Sequence, residues 1–195
     1  MTLADVPAVA GTLARAFADD PLQVWVVPDA ARRVVILEDI FAVLARVLSV
    51  PAGNAWTDVT CSCAAYWIAP GPPRPLTDAD RTELAALDAR LSDEVRQRLQ
   101  TCDRALRAAR PPGDYFYLQG IGTDPDMQGR GLGSAVLAPV LARLDLDAVP
   151  AYLESTKEKN IPFYERHGFR VTGLIQIPDD GPTLWAMGRD PVLPA

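Results

Sequence analysis

Three alternate glycines in the run Gln128-Gly129-Arg130-Gly131-Leu132-Gly133-Ser134 constrain this chain more than any other feature. Glycines so spaced remove the side chains that keep a charged ligand from the backbone, so several N–H groups can converge on one anion. A helix starting there adds the positive end of its dipole. Upstream, Tyr115 to Thr123 is rich in aromatic and apolar residues between Pro111-Pro112-Gly113 and Asp124-Pro125, which predicts a strand. Downstream, Leu132, Val136, Val140 and Leu144 recur every fourth residue with Leu137 and Leu141 beside them, which predicts a helix. Pro139 interrupts that stripe. An internal proline costs about 3 kcal/mol, so the helix should bend there or begin later. Either way the order is strand, anion loop, helix.

Two nucleotide-binding readings of the loop fail on residues. A phosphate-binding NTPase loop needs Gly-Lys followed by Ser or Thr, and the only lysines are Lys157 and Lys159. A dinucleotide fingerprint needs Gly-x-Gly-x-x-Gly and a later acidic residue; Asp147 lies near that distance, but the spacing here is Gly-x-Gly-x-Gly. A glycine-rich turn that binds nothing is the bland alternative, weakened by Arg130 among three glycines at a helix start.

Elsewhere, Val9, Leu13 and Phe17 mark a helix over Val6 to Phe17, and Val35 to Leu48 carries a second one. Asn54 to Val59 and Cys61 to Ile68 read as short strands ending at the Pro70–Pro75 loop. Leu76 to Ala109 is a long amphipathic stretch starting from a Thr77 cap, with a break expected near Ser92. Its short heptad-like repeat suits a helix lying across its own domain better than a coiled-coil partner. No repeat or low-complexity linker divides the chain, so residues 1–195 read as a single domain with a helical insertion at about 76–110.

A net charge of -6 argues against a nucleic-acid surface, which needs clustered cations, and mildly suits a cationic amine. Cys61, Cys63 and Cys102 have no metal spacing, and His167 is the sole histidine, so no metal site is expected. No leader-like N-terminal pattern appears, and no segment approaches the ~18 uninterrupted apolar residues that span a bilayer. A cytoplasmic protein without membrane partners is the expectation.

The loop with Gly122-Thr123-Asp124-Pro125 before it resembles the acetyl-coenzyme A pyrophosphate loop of the GNAT family of N-acetyltransferases. The likeness continues through Ala151 to Thr156 and Asn160 to Phe169, similar to that family's fifth strand and the helix after it. Within the family it looks most like the puromycin N-acetyltransferase type of antibiotic-modifying enzyme. That likeness also takes in Ala16 to Asp19 and Gly181 to Trp185. The match is specific from Tyr115 onward and loose before it. The resemblance implies a mixed, mostly antiparallel α/β sheet with splayed central strands flanked by helices. The family usually opens with a strand; Met1 to Asp5 leaves almost no room for it, so it is short or absent here, or the given start lies inside it.

The same resemblance implies acetyl-CoA as the coenzyme, its pantetheine arm on Ile121, Gly122 and Thr123. Its pyrophosphate would lie on Gln128, Gly129, Arg130, Gly131, Leu132, Gly133 and Ser134. Gly120 and Gly122 suit a strand that a ligand approaches closely. Asn160, at a helix cap, contacts coenzyme in the family, and Tyr164 one turn later protonates its sulfur. Gly168 supplies the helix stop. A phenol of ordinary pKa near 10 can serve a thiolate whose thiol titrates near 8.5. The structural reading of Tyr164 is a packing residue beside Phe163 and Phe169. Where many family members place a glutamate base, this chain has Gln119, which cannot take a proton but can position amine or water. Glu154 is the nearest candidate base, with Asp39 and Glu38 behind it, against an ordinary strand residue or deprotonation by water. By analogy Trp25, Tyr66, Trp67, Tyr117, Gln119 and Trp185 wall an acceptor pocket; aromatics equally fill cores, and Phe41 has core spacing.

The expected function is acetyl transfer to a primary amine of a small molecule, an aminonucleoside antibiotic among the candidates, by direct attack in a ternary complex. Protein lysine or N-terminal acetylation is the first alternative. A non-catalytic acyl-CoA sensor, kept open by Gln119, is the second. A monomer or homodimer is expected.

Overall fold

The computed structural model describes residues 1–192, arranged around one six-stranded sheet of order β1-β2-β3-β4-β6-β5. Its strands are β1 (Ala55–Thr57), β2 (Cys63–Ile68), β3 (Phe116–Thr123), β4 (Ala151–Ser155), β5 (Arg170–Gln176) and β6 (Thr183–Arg189). Every neighbouring pair is antiparallel except β3 with β4. The helices are α1 (Val6–Ala16), α2 (Pro21–Val26), α3 (Ala30–Leu44), α4 (Asp78–Asp88), α5 (Asp93–Ala109), α6 (Leu132–Leu146) and α7 (Ile161–Glu165). Residues Leu3–Asp5 form a 3-10 turn, so no strand precedes α1 among the described residues.

Alternation along the strands sorts the helices into two layers. Leu118, Leu153 and Met187 pack under α6 and α7 with Val136, Leu137 and Tyr164. On the other face lie two separate cores. Val9, Leu13 and Phe41 of α1 and α3 cover Ala64 and Tyr66. Leu22, Val95 and Cys102 of α2 and α5 cover Tyr117, Tyr152 and Leu184. A strand covered on both faces is apolar throughout, as in β2, which is buried from Cys63 to Trp67.

The predicted insertion is two helices. Thr77 closes a capping box with Asp80 to begin α4, and Ser92 accepts from the Val95 amide to begin α5. Helix α2 is absent from the sequence reading, although Asp20-Pro21 is an N-cap followed by a proline at the first helical position. Helix α6 neither starts late nor stops at Pro139. Pro139 and Ala135, whose carbonyl it frees, both lie on the solvent face, where water takes the lost donor's place.

Candidate functional site

Strands β3 and β4 pair only at Phe116↔Ala151 and Tyr117↔Tyr152, then part. Beyond Tyr117 the β4-facing edge of β3 has no strand partner, and a cleft of about 780 Å³ opens between the two strands through the sheet. It has a wall on each side: α6 and α7 on one, the α1–α2 loop and α5 on the other.

The glycine loop forms the first wall. Gly129 and Gly131 have φ of +75° and +78°, left-handed conformations in which a side chain is strained. Gly131 takes the N-cap position of α6 without a side-chain cap, and the amides from Gly129 to Ser134 donate to no backbone carbonyl. This is the converging donor set that a helix start offers an anion. Gln128, Gly129, Gly131, Leu132, Gly133 and Ser134 line the cleft. Arg130 does not; it is exposed and its guanidinium reaches back to the Asp126 carbonyl at 3.4 Å. Ser134 already shares a 3.0 Å hydrogen bond with His167 Nε2. Burial holds the His167 pKa below its ordinary value, with the Arg166 charge adding to the shift.

Two of the glycines lining the cleft also have a packing reason to be bare. A Cβ on Gly122 would lie 2.9 Å from Ala16 and Leu13, so its bareness admits α1. A Cβ on Gly133 would lie 3.2 Å from the Phe163 ring.

Asn160 lines the cleft and caps nothing: it ends a 3-10 turn, and its side chain makes no hydrogen bond to α7. Tyr164 lines the same wall at 8% exposure. Burial raises its pKa well above the ordinary phenol value, and the Asp20 charge adds to the shift, so the hydroxyl stays protonated at neutral pH. Gly168, at φ +84°, lets the chain turn back into β5.

A bulge organises the opposite wall. Tyr66 pairs with Gly120 and Trp67 with Leu118, leaving Gln119 as the extra residue. Gln119 lines the cleft and its Oε1 is buried without a partner. Glu154 lines it from β4, and its Oε1 is likewise buried and unpaired. Burial raises the Glu154 pKa, while the Tyr117 and Tyr152 phenols and the Arg110 guanidinium oppose the shift. Arg110 lies over the Tyr117 ring at 4.2 Å.

Of the six side chains expected to wall the acceptor pocket, Tyr117 and Gln119 line the cleft. Tyr66 and Trp67 do not: as neighbours on a central strand they are 1% exposed and fill the cores on opposite faces. Trp185 packs at the edge of the α6–α7 core. Trp25 donates from its indole to the Asp179 carbonyl at 3.1 Å and carries Arg98 over its ring at 5.4 Å. Neither Glu38 nor Asp39 reaches the cleft; Asp39 pairs with Arg90 at 3.2 Å.

The sequence reading missed Asp20. It is 3% exposed, accepts from the Leu22 amide at 3.0 Å and from Thr156 Oγ1, and lines the cleft near Tyr164. Burial raises its pKa against those hydrogen bonds. Beside it Lys157 Nζ meets Asp19 at 2.7 Å. The α1–α2 loop is thereby tied to the loop that carries Asn160. Among the described residues no cluster of His, Cys, Asp or Glu suits a metal ion, and no helix is long and apolar enough to cross a membrane.

An anion cradle, an open strand edge, a buried phenol and a buried carboxylate lining one gap in the sheet define a cleft suited to acyl transfer. A family model described as an acetyltransferase (GNAT) domain matches residues 99–171, from within α5 to the start of β5. A solved structure described as histone acetyltransferase HPA2 and related acetyltransferase, from Corynebacterium glutamicum, is 25% identical with a TM-score of 0.70, covering 100% of this chain and 96% of that one. An N-acetyltransferase from Staphylococcus aureus Mu50 shares the fold at 14% identity and TM-score 0.60, covering 95% of this chain and 96% of that one. The mycothiol acetyltransferase of Propionibacterium freudenreichii subsp. shermanii is 40% identical over 65 residues, 32% of this chain. The matched segment spans only 20% of that relative's length.

Proposed function

We propose that the chain transfers an acetyl group from acetyl-CoA to a primary amine of a small molecule, by direct attack in a ternary complex. The observation that carries this reading is the parting of β3 and β4 after one pair of residues on each, with the glycine loop, Tyr164 and Glu154 all lining the cleft that opens there. The free amides of the loop fit an anionic group. The unpaired edge of β3, with Ile121, Gly122 and Thr123, fits an extended amide-bearing arm, and the unbonded Asn160 side chain fits another polar contact. Acetyl-CoA, when bound, supplies the thioester whose acyl carbon is attacked.

The residues then divide the proton traffic. Glu154 Oε1, without a partner, accepts a proton from the incoming ammonium and frees its lone pair. Gln119 Oε1 accepts a hydrogen bond from the same amine and orients it. Transfer of the acetyl group from a bound acetyl-CoA would free its sulfur as a thiolate, to which Tyr164 Oη would give a proton, and the second proton that the nitrogen sheds as it becomes an amide would restore the phenol. Burial keeps the Tyr164 phenol protonated until the thiolate forms and brings the Glu154 carboxyl's pKa toward that of a working base.

A small acceptor is supported over a protein chain by the acceptor side of the cleft, which α2 and α5 roof with Leu22 and Leu106. Outside the cleft that roof is braced: Arg98 of α5 donates to the Trp25 carbonyl of α2, and Trp25 donates to Asp179 in the turn before β6. An aminonucleoside antibiotic is one candidate within this class. A monomer or homodimer in the cytoplasm is the accompanying proposal. A thiol-release assay with acetyl-CoA and a panel of amines, including puromycin-like aminonucleosides and lysine peptides, tests the reading. Release that depends on a small amine supports it. Binding of acetyl-CoA with no release on any amine would establish a sensor instead.

A further inference from the structure

The three carboxylates along the cleft differ in what already satisfies them. Asp19 is paired with Lys157 at 2.7 Å. Asp20 is occupied by the Leu22 and Gln23 amides and by the Thr156 hydroxyl. The Tyr117 and Tyr152 phenols lie within reach of the Glu154 carboxylate, yet its Oε1 stays buried with no partner, as does the Oε1 of Gln119 in the same cleft. Two free acceptor oxygens are therefore left for one N–H-rich group. Around that pair the wall is apolar: Leu22 of α2, Leu106 of α5 and Leu184 of β6 line the cleft, with the Tyr117 ring beside them. Arg110, 4.2 Å over the Tyr117 ring, already sets one positive charge close enough to act on Glu154.

From this we infer that the acceptor is a monoamine with an apolar or aromatic body, its amine held between Glu154 and Gln119 and its body against Leu22, Leu106 and Leu184. The inference rests on the acetyl-transfer reading and narrows its substrate class. A polyamine would leave a second ammonium against leucine side chains, where an unpaired charge is strongly disfavoured. A peptide lysine would bring backbone amides under the α2–α5 roof with nothing to receive them.

The experiment compares kcat/KM of the full chain, at saturating acetyl-CoA, for 2-phenylethylamine, 1,4-diaminobutane and a short lysine peptide. The expected result is a preference of at least about tenfold for the phenylethylamine, the scale on which one missed apolar group is discriminated. Equal or better use of the diamine or the peptide overturns the inference while leaving acetyl transfer intact. No thiol release with any amine removes the acetyl-transfer reading itself and this inference with it.

A second arm places a carboxylate in the apolar wall. Leu106→Glu, on a half-buried position, should move the preference toward the diamine by about tenfold, the reach of one new charge pair. A folded variant with an unchanged ratio would overturn the assignment of that wall. Should this variant fail to fold, the comparison on the unaltered chain decides alone.

Discussion

The two walls of the cleft are built on different principles. The α6–α7 wall is backbone: unpaired amides, two glycines in left-handed conformations, a strand edge released from its neighbour. The wall formed by the α1–α2 loop and α5 is side chain: Asp20, Leu22, Leu106, Tyr117, Gln119, Glu154 and Leu184, drawn from elements far apart in the chain. A backbone wall recognises a constant ligand and tolerates change in what surrounds it. A side-chain wall can be refitted to another ligand without disturbing the first, which is how one fold comes to serve many acceptors.

If the division holds, changes to the first wall should strike every acceptor alike. Tyr164→Phe carries the largest expected effect: kcat should fall by about 10²–10⁴, the range for a lost general acid, with KM for both substrates little changed. A melting temperature near that of the unaltered chain would show that packing survives, since the ring remains. Unchanged turnover would make Tyr164 a core residue only. Gly131→Val is next. Its φ of +78° costs a branched side chain about 1–2 kcal/mol or more, so acetyl-CoA affinity should fall about tenfold by calorimetry while amine selectivity stays the same. A change in selectivity would mean the walls are not independent.

The same division explains what could be read without a structure. The backbone wall comes mainly from one short stretch, β3 through the glycine loop to the start of α6, and its requirements are local: glycine where φ is positive, a helix start, a strand before it. Those leave a pattern in sequence, and the order of strand, loop and helix is as the spacing predicts. The side-chain wall has no such pattern. Aromatic content pointed to Tyr66, Trp67, Trp25 and Trp185, yet three of these fill cores and Trp25 ties the roof, because large rings are the cheapest way to cover a sheet on both faces. Asp20 was within reach through its Asp-Pro pair, but only as a helix cap; its place beside Tyr164 comes from the packing of α2 against distant elements. The bulge at Gln119 depends on the register of β2 with β3, which one strand's sequence does not carry.

Glycine 122 separates ligand approach from packing. If its bareness serves α1, Gly122→Ala should destabilise the fold by about 1–3 kcal/mol through the 2.9 Å contacts with Ala16 and Leu13, read as a loss of about 2–10 °C in Tm. Acetyl-CoA affinity of the folded fraction should be little altered. The reverse outcome, full stability with lost affinity, would return Gly122 to the ligand side of β3.

The smallest expected effect is a gain in stability. Burial raises the pKa of Glu154 above its value in the unfolded chain, so the folded state binds the proton more tightly than the unfolded state does. Its favourable contribution is therefore complete below the unfolded carboxylate pKa and is lost as pH rises through the raised one. Above that raised pKa the folded protein holds a buried charge that folding alone would discard. Glu154→Gln should accordingly raise Tm at pH 7–8 by about 2–4 °C, the shift expected for about 1 kcal/mol, and the two melting curves should converge as pH falls toward 4. The same variant should lose the acid limb of the pH–rate profile, since the group that must ionise is gone. A glutamate kept for structure would show the opposite pairing, a lower Tm with the pH profile intact. Stability gained where turnover is lost marks a residue held in place for the amine it meets.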